Sequence, residues 1–291
     1  MNPVRVVEVG PRDGLQNEPV LLSVEQRVAF VNELLAAGCA EIEVGAFVNP
    51  KLVPAMAGSG EVLRELGVRA DARLIVLVPN ERGLNAALDA GAKSIAVFAA
   101  ASETFSQKNI GRSISESLDE YRRVVARAKQ GDLWVRGYVS TVTHCPYEGK
   151  ISPGAVVSVA QALREMGCDE IALGETLGRA TVDDLAALLD AVTLAIPPEM
   201  LAGHFHDTSG RALSLVERAL EYGIRAFDGS TGGLGGCPFA PGAAGNLATE
   251  SLVARLHALG YTTGIDAEAL ALVGARLRKT LAGVPYPSAE P

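Results

Sequence analysis

Eight short runs of β-branched and apolar residues alternate with longer amphipathic runs along nearly the whole chain. In the longer runs, apolar residues recur at intervals of three and four, which is the period of a helix. The short runs predict strands at residues 5–9, 41–44, 73–78, 94–99, 133–139, 170–173, 201–206 and 226–230. An open doubly wound sheet usually stops at five or six strands, so eight strands with crossovers favour a single (β/α)8 TIM barrel, an α/β fold.

A glycine stands at four of the predicted joints between a helix and the next strand. The segments AAGCAEIEV, DAGAKSIAV, EMGCDEIAL and EYGIRAFDG share this layout. Each glycine occupies the place where a residue in the left-handed conformation would end a helix. We therefore predict that helices end at Gly38, Gly91, Gly167 and Gly223.

The remaining patterns describe one domain. Helices are predicted at residues 23–37, 115–130, 153–166, 181–195 and 211–222, from 247 onward, and at 266–281. The last run lies outside the eightfold count, so we expect extra C-terminal helices after the barrel. Because no linker-like segment divides the chain, we predict a single catalytic domain over residues 1–291, with the barrel and its loops at about 4–264 and a C-terminal helix and tail at 265–291.

Composition excludes several classes of protein. The apolar fraction of 48% over 291 residues is ample for a large core and argues against disorder. No uninterrupted apolar run approaches the roughly 18 residues of a membrane span, and the net charge of −8 argues against binding to nucleic acid or to a membrane surface. The first residues lack a secretory signal, and the four cysteines lack CxxC spacing. We expect a cytoplasmic enzyme with reduced thiols.

The segment HFHD at the end of the seventh predicted strand is the sharpest local signal. His204 and His206 stand two residues apart, so they point to the same side of a strand, here into the barrel mouth. Two imidazoles and one carboxylate make a facial metal site with positions open for substrate. Asp13 is the candidate carboxylate, because strand one closes the barrel next to strand eight and near strand seven. Asn246 could add an amide oxygen.

Two further groups suggest chemistry at the same end of the barrel. Arg12 follows strand one and could hold a developing oxyanion with its permanently charged donors, or could simply pair with Glu43 or Glu8. The glycines of GGLGGCP suggest a loop that closes over a ligand, with Cys237 near its tip. A thiol there could donate or accept a proton, although an ordinary surface loop would have the same composition.

Several segments together resemble one enzyme family. VEVGPRDGLQNE, FAAASETFSQKNI, VRGYVSTVTHCPYEGKISP, HFHDTSG and GLGGCPFAPGAAGNLATE are similar to segments of the 3-hydroxy-3-methylglutaryl-CoA (HMG-CoA) lyases, which are metal-dependent TIM-barrel enzymes. The resemblance extends from about residue 7 to about residue 264. The related isopropylmalate and homocitrate synthases share the RDG and HxHD elements but lack the cysteine loop in this form.

The resemblance implies retro-Claisen cleavage of HMG-CoA to acetyl-CoA and acetoacetate, with Mg²⁺ or Mn²⁺ as cofactor. It implies metal ligands at Asp13, His204, His206 and Asn246. It also implies that Arg12 stabilises the enolate and that Cys237 takes part in proton transfer. The expected catalytic residues are Arg12, Asp13, Cys237, His204, Glu43 and Glu175. The expected substrate-binding residues are Arg12, Gln16, Lys108, Asn109 and Ser209, and the expected supporting residues are Glu8 and Glu250.

Departures from the family pattern leave the acyl-CoA substrate open. ALGETLG has Ala172 and Glu175 where the family usually has serine and aspartate, and HFHDTSG has Ser209 in place of tyrosine. STGGLGG likewise stands for SVAGLGG, with Thr231 and Gly232. We expect these changes to lie on the wall that meets the acyl group. The sequence therefore indicates conserved chemistry and leaves room for an altered substrate.

Four interpretations remain. The first is an HMG-CoA lyase of leucine degradation or ketone-body metabolism, and its nearest rival is a lyase for a related thioester, such as citramalyl-CoA or a longer-branched glutaryl-CoA. A synthase that makes an alkylmalate is a third possibility, but it would normally carry an additional regulatory region. A non-catalytic metal-binding barrel is the fourth. The family also suggests a homodimer.

Overall fold

The computed structural model describes residues 2–235, 245–284 and 286. Eight parallel strands close into a barrel in the order β7-β8-β1-β2-β3-β4-β5-β6. The strands are β1 (Arg5–Glu8), β2 (Glu41–Ala46), β3 (Arg73–Leu77), β4 (Ser94–Ala100), β5 (Trp134–Ser140), β6 (Glu170–Glu175), β7 (Leu201–Phe205) and β8 (Ala226–Gly229). This confirms the predicted TIM barrel and all eight strands, whose ends differ from the predictions by at most two residues.

Helices surround the barrel and connect its strands. They are α1 (Val24–Ala36), α2 (Ser59–Leu66), α3 (Glu81–Asp89), α4 (Glu103–Ile110), α5 (Ile114–Gln130), α6 (Pro153–Met166), α7 (Val182–Val192), α8 (Ala212–Glu221), α9 (Thr249–Ala258) and α10 (Ala267–Leu281). Every predicted helix is confirmed, and α10 is the additional C-terminal one. None of the helices described is long and apolar enough to cross a membrane.

The start of α9 differs from the prediction for a reason that matters to the site. Asn246 forms an isolated β-bridge with His206, and Ala248 forms another with Ser230. The backbone is therefore extended along the ends of β7 and β8 where the periodicity predicted a helix from residue 247. This extended segment brings Asn246 beside the two histidines.

The four glycines at the helix-to-strand joints have the predicted left-handed conformation. Their φ values are +92° at Gly38, +89° at Gly91, +104° at Gly167 and +87° at Gly223. At Gly38 a Cβ atom would also lie 2.3 Å from the carbonyl oxygen of Gly264. Both the φ angle and the space at that joint therefore require glycine.

Two short two-stranded sheets and three buried cysteines are also present among the described residues. Asn2–Pro3 pairs with Tyr261–Thr262, and His144–Cys145 pairs with Gly149–Lys150. Cys39, Cys145 and Cys168 are free and buried, as predicted for reduced thiols.

Charged side chains fill the lower part of the barrel, where branched aliphatic layers are usual. We call Arg5, Glu41, Arg73 and Glu170 the floor cluster. Glu41 lies 3.0 Å from Arg5 and 3.1 Å from Arg73, and Arg5 also contacts Glu170. Each charge in this cluster therefore faces an opposite one.

Candidate metal centre and active site

The predicted ligands meet at the carboxyl ends of the strands. Asp13 lies in the single helical turn that follows β1, His204 lies on β7, and His206 follows directly after it. One ligand atom from each residue falls within 4.8 Å of the other two. We call these three residues, together with Arg12 and Glu43, the mouth cluster.

The two histidines are held so that they can bind a metal. His204 donates from Nδ1 to Oδ2 of Asp228 at 2.9 Å, so its Nε2 faces Asp13, whose Oδ2 lies 4.0 Å away. A carboxylate partner of this kind orients a metal-binding imidazole. His206 is buried, and its Nδ1 has no hydrogen-bond partner among the described residues. A buried imidazole that offers a ring nitrogen to the cluster and has a further nitrogen without a partner among the described residues fits a bound cation.

The pKa shifts of His206 and Asp13 favour their ligand forms, whereas at His204 burial lowers the pKa but the hydrogen bond and charge of Asp228 raise it overall. Burial, followed by repulsion from His204, lowers the pKa of His206 to about 4, so its imidazole is neutral near pH 7. Burial alone would raise the pKa of Asp13, but the attraction of Arg12 and the two histidines, with the hydrogen bond from Asn246, together outweigh it and hold that pKa well below its usual range. A neutral imidazole beside an ionised carboxylate is the donor set that a divalent cation needs.

Arg12 links Asp13 to a second carboxylate. Its guanidinium donates from Nε to Oε2 of Glu43 at 2.8 Å, and another of its nitrogens lies 2.5 Å from Oδ1 of Asp13. The arginine is 7% exposed and lines the cavity described below. The predicted ion pair with Glu43 therefore exists, and it holds Arg12 at the edge of the cavity.

Glu43 is fully buried and only partly satisfied. Its Oε2 accepts from Arg12, while Oε1 has no hydrogen-bond partner among the described residues. Burial is the largest influence on this carboxyl and raises its pKa. A carboxyl whose pKa is raised next to a reaction site is suited to carrying a proton.

Asn246 contacts the cluster through its amide nitrogen. Nδ2 donates to Oδ2 of Asp13 at 2.8 Å and to the carbonyl oxygen of Leu234 at 3.1 Å. In this arrangement Asn246 fixes the orientation of Asp13. A role as a metal ligand would require its oxygen to turn inward, and that role stays a prediction.

The two supporting glutamates hold the segment that leads into the glycine-rich loop. Glu8 is fully buried and accepts from the backbone of Gly10, from the backbone and hydroxyl of Thr231, and from the hydroxyl of Thr249. Glu250 accepts from the backbone nitrogen of Gly232 with both oxygens at 3.0 Å. Neither residue reaches the metal ligands. Cys237 lies outside the described residues.

A cavity of about 870 Å³ extends from the mouth cluster. Its polar lining includes three predicted substrate-binding residues, Gln16, Lys108 and Asn109. Its volume is in the range of sites that enclose small organic ligands. A broad part of its wall is apolar or aromatic and comprises Val48, Leu52, Val53, Phe98, Phe105, Ile110 and Tyr121.

The expected positions of Glu175 and Ser209 need correction. Glu175 is 1% exposed, does not line the cavity, and accepts from the hydroxyl of Thr143 and the backbone nitrogen of Arg179. Side chains alternate along β6, and its neighbour Gly174 faces the cavity, so Glu175 points to the other side. Ser209 is exposed and also lies outside the lining. Neither of these two side chains therefore contributes to the lining of the cavity.

Sequence reasoning missed three residues that organise the site. Asp228 orients His204, the hydroxyl of Tyr138 lies 3.2 Å from Asp228 and 3.4 Å from Glu43, and Arg136 contacts both Asp228 and Tyr138. Arg136 is the one charged residue of β5, and Asp228 is the one charged residue of β8. A charge on the inward face of a predicted barrel strand is the signal that could have found them.

Comparisons with known proteins agree with this geometry. A family model described as HMGL-like matches residues 3–276. A hydroxymethylglutaryl-CoA lyase from Pseudomonas mevalonii is 51% identical over 97% of this chain and 93% of its own length. A protein of Pseudomonas aeruginosa named 3-hydroxy-3-isohexenylglutaryl-CoA/hydroxy-methylglutaryl-CoA lyase is 49% identical over 94% of this chain and 91% of its own.

A solved structure extends the likeness to three dimensions. An HMG-CoA lyase from Acinetobacter baumannii, in complex with coenzyme A and 3-methylmalate, superposes with a TM-score of 0.90 at 36% identity, over 99% of this chain and 93% of that one. Since the family model spans nearly the whole barrel and curated relatives share half of the residues, the chain belongs to the HMGL-like family.

Proposed function

We propose that this protein cleaves HMG-CoA to acetyl-CoA and acetoacetate in a retro-Claisen reaction that depends on a divalent metal. The observation that carries the proposal is the mouth cluster, in which three metal-ligating groups and a buried arginine meet at one end of a cavity. The curated names of relatives at 51% and 49% identity support this substrate.

The residues that would hold the metal are Asp13, His204 and His206, with Asn246 as a fourth ligand. Carboxylate, imidazole and amide donors are compatible with Mn²⁺ or Mg²⁺ and leave positions open for substrate. When bound, the metal lowers the pKa of the substrate's tertiary hydroxyl and fixes its orientation. The feature of this chain that fits such a group is the approach of one carboxylate and two buried imidazoles to within 4.8 Å of one another.

The protein's own groups account for the charge and the protons of the reaction. Arg12 would stabilise the thioester oxygen as negative charge develops there. Glu43 is fully buried and does not line the cavity, so it would act through Arg12, which it holds by the hydrogen bond from Nε. Cys237 would protonate the enolate from the glycine-rich loop. Gln16, Lys108 and Asn109 would contact the CoA portion of the substrate.

A longer-branched substrate is the second candidate. It is favoured by the relative whose name includes an isohexenyl-glutaryl thioester and by the apolar wall of the cavity, which could bury such a branch. Citramalyl-CoA loses its support, because that idea required Glu175 to meet the acyl group.

A substrate panel tests the proposal. Chelator-treated protein would be supplied with Mn²⁺ or Mg²⁺ and offered HMG-CoA, a longer-branched analogue and citramalyl-CoA, with products identified by mass spectrometry. We expect metal-dependent release of acetyl-CoA from HMG-CoA. Turnover of the long-branched thioester alone would reassign the substrate. Condensation of acetyl-CoA with a 2-oxo acid would indicate a synthase, and absence of any turnover would indicate a binding protein.

We further propose that the protein is a cytoplasmic homodimer that acts in leucine degradation. The three buried, unpaired thiols of the described residues support a reducing compartment. Cell fractionation and light scattering of the purified protein test the location and the oligomeric state, and a periplasmic or monomeric protein would contradict them.

A further inference from the structure

Arg136 is a fully buried cation at the centre of the barrel. It lies on β5, has no exposed surface and does not line the cavity. It therefore cannot meet substrate directly. A buried charge of this kind is costly unless it is paired, and replacing a buried ion pair by apolar residues is often neutral or stabilising. Its presence in this position calls for an explanation other than stability.

The contacts of Arg136 lead toward the mouth cluster. One guanidinium nitrogen donates to Oδ1 of Asp228 at 2.5 Å, and the other Oδ atom of the same carboxylate accepts from His204. A second nitrogen donates to the hydroxyl of Tyr138 at 2.9 Å. Arg136 thus clamps the residue that orients a predicted metal ligand.

On its opposite side Arg136 is held by the floor cluster. Nε lies 2.9 Å from Oε1 of Glu170, a contact that has ion-pair distance but lacks hydrogen-bond geometry. Glu170 in turn contacts Arg5. The chain Glu170–Arg136–Asp228–His204 therefore joins the floor of the barrel to the candidate metal centre through buried side chains.

We propose that Arg136 is a positioning residue that sets the metal affinity of the site by holding Asp228 against His204. The inference rests on the proposed metal site but goes beyond it, because Arg136 touches neither the metal ligands nor the cavity. Partners of metal-binding histidines commonly change metal affinity by about 10–100-fold when they are removed. Arg136 contacts Asp228, the partner of the histidine, and not the histidine itself. We therefore expect its removal to lower the metal affinity by about tenfold, at the lower end of that range.

The direction of the effect separates positioning from simple electrostatics. Loss of a positive charge near the site would, by Coulomb's law alone, strengthen the binding of a dication. Loss of positioning would weaken it. Weaker Mn²⁺ binding by Arg136→Met therefore reports that Asp228 and His204 are no longer held in place.

Arg27 provides a matched control. It is as buried as Arg136, at 1% exposure, but it donates to the carbonyl oxygens of Val44 and Ala57 and to the hydroxyl of Ser59, outside the barrel interior. Arg27→Met should lower thermal stability as the loss of any buried arginine does. Its affinity for Mn²⁺ should stay that of the wild type.

The experiment is a Mn²⁺ titration of the chelator-stripped full chain, followed by electron paramagnetic resonance, for wild type, Arg136→Met, Glu170→Gln and Arg27→Met. We expect Kd to rise about tenfold in Arg136→Met and about threefold in Glu170→Gln, whose contact is less directional. In an Asp228→Asn background, Arg136→Met should add little, because both changes break the same link.

The possible results separate the proposed metal site from the positioning role of Arg136. If the wild type binds no Mn²⁺, the proposed metal site falls and this inference with it. If the wild type binds but folded Arg136→Met binds equally well or more tightly, only the positioning role is overturned. If Arg136→Met does not fold, Glu170→Gln decides, and an unchanged Kd in that variant rejects the role of the chain.

Discussion

The two ends of the barrel interior carry similar charges but differ in how those charges are satisfied. In the floor cluster, two arginines face two glutamates in ion pairs. In the mouth cluster, one arginine faces two carboxylates, and Oε1 of Glu43 and Nδ1 of His206 have no partner among the described residues. Charge alone therefore does not mark a site. The mouth cluster differs because Asp13, His204 and His206 bring three possible metal-binding atoms together beside the cavity.

The largest expected effect comes from removing a mouth ligand. His206→Ala deletes one of three groups that would hold the metal, so we expect kcat/KM for HMG-CoA to fall roughly 1000-fold or more, about 4 kcal/mol of transition-state stabilisation. Steady-state kinetics at saturating Mn²⁺ measures this. Folding, followed by circular dichroism, should be retained, and near-normal turnover would remove His206 from the site.

A pH effect is expected at Glu8, which ties β1 to the segment leading into the glycine-rich loop. Burial raises its pKa to about 7, so the folded state favours the protonated form. Its contribution to stability is present at pH 4 and is lost as the pH rises through about 7. The disadvantage of Glu8→Gln relative to wild type should therefore shrink between pH 5 and 8, by up to about 3 kcal/mol.

Urea unfolding at several pH values, with chelator present because metal binding is itself pH-dependent, measures this difference. A difference that stays constant across the range would show that the four hydrogen bonds to Glu8 keep it ionised throughout.

Breaking an ion pair of the floor cluster should lower the stability of the fold and leave the activity unchanged. Glu41→Gln removes the negative charge shared by Arg5 and Arg73, and because Arg5 is 40% exposed the loss should be only about 1 kcal/mol. Activity should stay close to that of the wild type. This variant is also the control for His206→Ala, and a large loss of activity in it would erase the distinction between the two ends.

The smallest effect is expected at Glu175. Its carboxylate contacts Thr143 and Arg179 and does not face the cavity. A reacting group moved by 1 Å can lose about 100-fold in rate, whereas we expect Glu175→Asp to keep kcat/KM for HMG-CoA within about threefold. A change of 100-fold would restore Glu175 to the acyl wall.

The sequence predicted more residues of the mouth cluster than of the floor cluster, for a physical reason. His204 and His206 stand at strand spacing beside a polar loop, so their pattern is visible along the chain. The barrel itself followed from the alternation of strands and helices. Asp228, Arg136 and Glu170 lie on three different strands, and only closure of the barrel brings them together. Glu175 was misplaced because the side to which a strand's last residue points depends on register.

The central claim is that the mouth cluster, and not the floor cluster, binds a divalent metal. Anomalous diffraction from crystals grown with Mn²⁺ tests it most directly. We expect one strong peak within coordination distance of Asp13, His204 and His206 and none at the floor. A peak elsewhere, or none in protein shown by titration to be saturated with Mn²⁺, would contradict the account.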